Sequence, residues 1–366
     1  MNVELLGGPR TIISNPHGRH NYFGWPSIAR LPGGALAAVC SGYRCGHVCP
    51  FGKTVMALSF DEGENWTGAY PVIDTPLDDR DGGIVAFGEN GVVVTSFNNT
   101  VAAQRNWNPV PADRDDKYYL RNSYYNAYLD TVTKEEEARY LGAQFRLSFD
   151  GGKTFGPIFH SPVTSPHGPV ELSDGTLLWV GRMFSGDDSF HPDQDRIHAY
   201  QINMDGSMDF VGEVPPVYRD GQPVLMCEPH AVQLPSGEIV CHLRSESGAP
   251  FSTFQTRSPD NGRTWTVPEQ LLGDCGGAPA HLLLHSSGTL ISAYGYRQPP
   301  FGVRLMISED GGQTWKKDIP LFTGVSSDLG YPCTVELRDG TLLTVFYAAE
   351  REGGPCVIMQ QRWRLA

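Results

Sequence analysis

The sequence predicts an all-β protein, a six-bladed β-propeller with four-stranded blades and a helix-containing insertion in blade 2. Three observations carry this: the composition, a hairpin repeated six times, and a second motif interleaved with it. The chain has 366 residues, including 42 Gly and 28 Pro. That balance favours many short strands joined by turns over long helices.

The repeated unit is a short apolar strand, a Gly turn and a second apolar strand. Its first copy runs from Trp25 through Gly34 into Ala35-Leu-Ala-Ala-Val. Further copies turn at Gly91, Gly175, Gly237, Gly288 and Gly340. Glycine supplies the positive φ that such turns need, and the flanking residues are β-branched or leucine-rich.

The interleaved motif has the form Ser-x-Asp-x-Gly-x-Thr-Trp. Copies begin at Ser59, Ser148, Ser258 and Ser308, and Asn203-Met-Asp-Gly-Ser is a worn copy. The Asp can bond the backbone of its own turn, the Gly allows the bend, and the aromatic ring packs between sheets. These boxes are expected to close the outer hairpin of a blade and to be structural.

Six inner hairpins, each followed by an outer pair of strands, make six blades. The segment Val357–Leu365 is expected as the third strand of the sixth blade, with Val3–Leu6 supplying the fourth. Residues 1–366 then form one domain, since no blade can bury both faces alone. Residues 101–142 break the period. They hold Trp107, six tyrosines and a helix-like stretch from Thr133, and read equally as a rim over a pocket or as an interface through which the chain forms a homo-oligomer.

The net charge of −13 argues against nucleic acid or an anionic membrane as partner. An anionic substrate would need a locally basic pocket. No run of about 18 apolar residues is present, and no leader is recognisable. A cytoplasmic protein is expected, or a secreted or periplasmic one if a leader has been removed. The eight cysteines fall mostly in apolar strand patterns and read as buried free thiols. Cys45 and Cys49 have no second pair at a matching distance, so no metal site is expected.

A propeller's pocket is built from the starts of its innermost strands. Nine positions before each turn glycine lie Trp25, Gly82, Pro166, Glu228, Pro279 and Tyr331. Two further on, on the same strand face, lie Ser27, Ile84, Gly168, His230, His281 and Cys333. A carboxylate and a phenol thus occupy equivalent places in blades 4 and 6. Arginines recur near the far end of the second strand, at Arg44, Arg182, Arg244, Arg297 and Arg351. Converging guanidinium groups suit a carboxylate, although some are expected only to pair with acids between blades.

These boxes, the Glu228 to Arg244 stretch and Gly330-Tyr331 resemble the exo-sialidase family along essentially the whole chain. The resemblance implies that Glu228 assists a Tyr331 nucleophile and that Arg244 binds the substrate carboxylate. It implies a further carboxylate-binding arginine before an Asp box, which Arg297 fits best and Arg304 second. The family's first arginine, in Arg-Ile-Pro, is missing here, where the chain reads Gly24-Trp25-Pro26. Its acid/base Asp is also missing near residue 48. Arg44 can compensate for the first, and Asp79, Asp81 or His47 for the second. The implied activity is a glycosidase, without cofactor, that releases a terminal 2-keto sugar acid from a glycan. Two alternatives remain. One is a polysaccharide lyase or uronic-acid-specific hydrolase using His230, His281 or His167. The other is a non-catalytic glycan-binding propeller.

Overall fold

The computed structural model describes residues 2–184, 196–277 and 279–366. Among these described residues, six antiparallel sheets are arranged in chain order as blades, and three α-helices lie outside them. The innermost strands are Tyr22–Arg30, Arg80–Phe87, the pair Val163–Thr164 and Val170–Glu171, Gln222–Gln233, Ala280–Leu284 and Gly330–Glu336. The ring closes as the sequence predicts. Cys356–Leu365 pairs with the second strand of blade 6 on one side and with Val3–Leu5 on the other.

Apolar side chains fill the spaces between neighbouring blades. Between blades 1 and 6, Phe23, Trp25, Leu36, Ala38, Val345 and Ile358 form one buried cluster. The four boxes close outer turns in the same way. At Ser308, the hydroxyl accepts from the Gly312 N–H at 2.7 Å, and Asp310 accepts from Thr314 N at 2.9 Å. The box turns and the Gly turns share one end of the blades; the starts of the inner strands face the other.

The inner strands carry one irregularity four times. In blades 1, 2, 4 and 6 two residues oppose a single residue of the second strand: Trp25-Pro26, Asp81-Gly82, Glu228-Pro229 and Tyr331-Pro332. The first of each pair is left-handed, with φ of 54°, 52°, 50° and 49° respectively. Non-glycine residues resist this region, at about 1–3 kcal/mol each. The bulge lifts that residue out of the ladder and re-aims its side chain. In three of the four, the next residue is Pro, which removes an N–H the distorted ladder could not pair.

This corrects the register in blade 2. Phe87 pairs with Gly91, so Gly91 begins the return strand and is not the turn residue. The count therefore slips by one, and Asp81, not Gly82, is the equivalent of Tyr331.

The insertion holds three helices, Val101–Trp107, Tyr119–Leu129 and Lys134–Tyr140, where the sequence suggested one. Thr133 and Glu136 form a reciprocal cap at the start of the third. Tyr125 and Tyr128 pack on Phe51 at ring separations of 5.6 and 4.9 Å, covering the loop that follows Arg44. All eight cysteines are free, and all but Cys45 are buried.

Candidate active site

The four bulges bring Trp25, Asp81, Glu228 and Tyr331 to one end of the channel. Tyr331 donates its phenolic hydrogen to Glu228 Oε1. The other oxygen, Oε2, accepts from Arg244 Nη1 at 2.6 Å, and the same nitrogen lies 3.4 Å from the Tyr331 hydroxyl. A phenol, a carboxylate and a guanidinium from two blades thus form one connected unit. Burial, and then the Glu228 charge, raise the Tyr331 pKa well above its ordinary value, so the resting phenol is neutral. Burial also raises Asp81 to about 7, with Arg80 opposing it and Glu228 reinforcing it. Asp81, Glu228 and Arg244 line a pocket of about 190 Å³ together with Phe97, Arg182 and Glu246.

Arg297 donates through Nε to Leu329 O at 2.9 Å, through Nη1 to Gly277 O at 3.0 Å and through Nη2 to Tyr347 Oη at 2.8 Å. Its guanidinium lies 5.7 Å from the centre of the Tyr331 ring. It is therefore held beside the phenol ring, whereas Arg244 reaches the hydroxyl.

Several candidates lie elsewhere or are already engaged. Arg44 is fully buried and paired at both ends of its fork with Asp78, at 2.6 and 2.8 Å. It also donates to Ser41 Oγ and His47 O. It is a structural ion pair, not a ligand entering the pocket. Asp79 is enclosed by Thr75, Asn98 and Gln144, which all donate to it, so its carboxyl has no path to a leaving group. Burial raises it to about 7 as well. Arg304 sits on the third strand of blade 5 against Tyr296 and Asp318, away from the channel. Arg351 is exposed in the loop beyond the second strand of blade 6.

His230 and His281 correct a second expectation. They lie deeper in the channel with His167, their rings 4.2 to 5.5 Å apart. His230 Nδ1 accepts from Leu282 N at 3.0 Å, and His281 Nδ1 accepts from Thr334 N at 3.4 Å. Each satisfies a backbone donor on the next blade's inner edge, which has no strand to pair with. Cys333 accepts from Ile28 N at 3.3 Å in the same way, completing the link from blade 6 to blade 1. Burial lowers all three histidines, His230 to about 3, so they are neutral links and not proton donors.

Trp25 is 1% exposed, walled by Tyr22, His47, Tyr331 and Tyr347, with Arg44 and Arg80 4.9 and 4.4 Å from its ring. It supports the site and has no open face for a sugar. His47 stands on the rim, with Nδ1 3.0 Å from Tyr22 Oη and 3.3 Å from Asp328. Burial lowers its pKa against the pull of Asp328. Tyr22, Tyr347 and Asp328 were missed in the sequence. Burial pushes Asp328 up, but hydrogen bonds from His47, Tyr22 and Tyr347 prevail and hold it at about 2. Its place three residues before Tyr331 was the only available signal.

A six-bladed propeller with boxed outer turns and a Tyr-Glu-Arg unit at the axis defines the class of sialidase-like propellers. The sequence matches the BNR repeat-like domain over residues 92–345, and the chain belongs to that family. A search of curated proteins finds no match. Among solved structures, a protein of unknown function from Dyadobacter fermentans is similar over 100% of both chains, at 20% identity and a TM-score of 0.76. The NanB sialidase of Streptococcus pneumoniae is similar over 97% of this chain and 70% of its own, at 11% identity and a TM-score of 0.70. The intramolecular trans-sialidase of Ruminococcus gnavus is similar over 94% of this chain and 95% of its own, at 13% identity and a TM-score of 0.63. At these identities the likeness speaks for the fold.

Proposed function

We propose that this protein is a glycoside hydrolase that releases a terminal 2-keto sugar acid, sialic acid or a related ulosonic acid, from a glycan. The observation that carries this reading is the Tyr331–Glu228–Arg244 unit. A 2-keto sugar acid bears a carboxylate on its anomeric carbon, which would repel a carboxylate nucleophile. A neutral phenol avoids that repulsion, and sialidases are the known exception to the two-carboxylate scheme. Because the pKa of Tyr331 is raised, the phenol needs a base at the moment of attack.

In this mechanism Tyr331 Oη bonds to the anomeric carbon and passes its proton to Glu228. The bond to the leaving oxygen breaks as Asp81 protonates it. Water, deprotonated by the Asp81 carboxylate, then attacks the same carbon, and Tyr331 leaves and recovers its proton from Glu228. Arg244 and Arg297 stabilise the substrate carboxylate and the developing phenolate. The lyase reading loses support because its histidines are buried links between blades.

The test is a panel of aryl glycosides of several 2-keto sugar acids, with the product anomer read by proton NMR. Release of free sugar acid supports the proposal. An unsaturated product absorbing in the ultraviolet would favour a lyase, and binding without turnover would favour a glycan-binding propeller.

A further inference from the structure

Arg80 opens the inner strand of blade 2, one residue before Asp81. Its register partner is Phe97, a wall of the pocket. Directly paired residues of antiparallel strands project from the same face, so the Arg80 side chain runs toward the pocket side. Its guanidinium lies 4.4 Å from the centre of the Trp25 ring, and the side chain is 12% exposed.

Its bonding sets it apart. Arg44, Arg244 and Arg297 each donate to named acceptors. Among the described residues, Arg80 donates no hydrogen bond through its guanidinium. The nearest carboxylate oxygen, Asp78 Oδ2, is 3.9 Å away and already accepts from Arg44 and from Cys49 N. Arg80 Nε is buried without a partner. A desolvated cation with unused planar donors costs free energy until an anion completes it. The indole beside it attracts the cation and limits where it can move, while its fork of donors suits a bidentate ligand.

We propose that Arg80 is a specificity-determining residue of this site, a further guanidinium that grips the carboxylate of the sugar acid together with Arg244. The inference rests on the function proposed above and adds a residue to it. Arg80 approaches from blade 2, so the anion is held between it and Arg244 of blade 4, beside the carboxyl of Asp81. Trp25 is then the platform on which that guanidinium lies, which accounts for a large aromatic residue in a strained backbone position.

The test compares the binding of N-acetylneuraminic acid and of its neutral methyl ester by titration calorimetry, on a Tyr331→Phe background that blocks turnover. The acid is expected to bind at least about tenfold more tightly than the ester, as for hydrogen bonds to a charged group. Arg80→Gln should lower that ratio several-fold, the remainder being held by Arg244, and Arg304→Gln on the third strand of blade 5 should leave it unchanged. Arg80→Lys keeps the charge but loses the planar fork, so the ratio should fall even if the Gln variant does not fold. An acid-to-ester ratio unchanged in Arg80→Lys and in a folded Arg80→Gln overturns the role of Arg80 while the site reading stands. If the parent binds neither compound and no other 2-keto sugar acid of the panel, the site reading itself fails, and the role of Arg80 with it.

Discussion

Tyr331 and Glu228 come from blades 6 and 4, 103 residues apart, and meet in a direct hydrogen bond at the channel axis. Both sit in left-handed backbone at the same point of the same bulge. This coincidence leads to the first prediction. Tyr331→Phe removes the hydroxyl and little else, so kcat should fall about a thousandfold or more with KM little changed. Single-turnover kinetics on the best aryl glycoside would measure this. Full activity in the variant would exclude Tyr331 as nucleophile.

Asp81 makes a second case. Its carboxyl is raised to about 7, first by burial. A proton donor must be protonated, so activity should fall as pH rises through about 7. Asp81→Asn should remove that limb and slow substrates with alkoxide leaving groups by about 10²–10⁴-fold. In kcat/KM, which excludes the later hydrolysis step that also uses Asp81, glycosides with nitrophenolate leaving groups, which need no proton, should lose much less. Equal losses for both substrate types would move the acid role elsewhere.

The Arg44–Asp78 pair is a matter of stability. Arg44→Met strands a buried Asp78 carboxylate and should cost about 3–5 kcal/mol in urea unfolding. Adding Asp78→Leu should recover much of that loss, because no uncompensated charge remains.

His230 yields a different signature. His230→Ala leaves the Leu282 N–H without its acceptor and should cost about 1–3 kcal/mol of stability. The kcat of the folded fraction should be unaffected. A selective loss of turnover in a fully folded His230→Ala would instead return this histidine to the chemistry.

What the sequence disclosed follows the physics of repetition. The glycine turns, the boxes and the closing strand were legible because each is local and recurs. Glu228, Tyr331 and Arg244 were legible because register converts sequence distance into position. Register also misled, since Gly91 has the look of a turn glycine and opens a strand, which put Gly82 in the place of Asp81, a residue nominated only as a substitute for the missing acid. Arg44 looked like a pocket ligand because nothing in its own segment reveals Asp78, 34 residues away, as its partner. His230 and His281 were read as residues of a lyase or uronic-acid site because the need to satisfy a neighbouring blade's edge arises only in the assembled ring. Asp328, Tyr22 and Tyr347 stayed hidden because they lie off the counted register.

The four bulges place Trp25, Asp81, Glu228 and Tyr331 in identical backbone niches outside the hydrogen-bonded ladder. The backbone of such a niche is set by the bulge, so the direction in which its side chain is displayed does not depend on which side chain that is. Asp81 and Glu228 lie outside the apolar cluster that holds Trp25 and Tyr331, so this scaffold can exchange side chains in blades 2 and 4 with less repacking than in blades 1 and 6. Divergence among such propellers in substrate or activity is then expected to concentrate at the four niches, while the blades around them change only as packing allows.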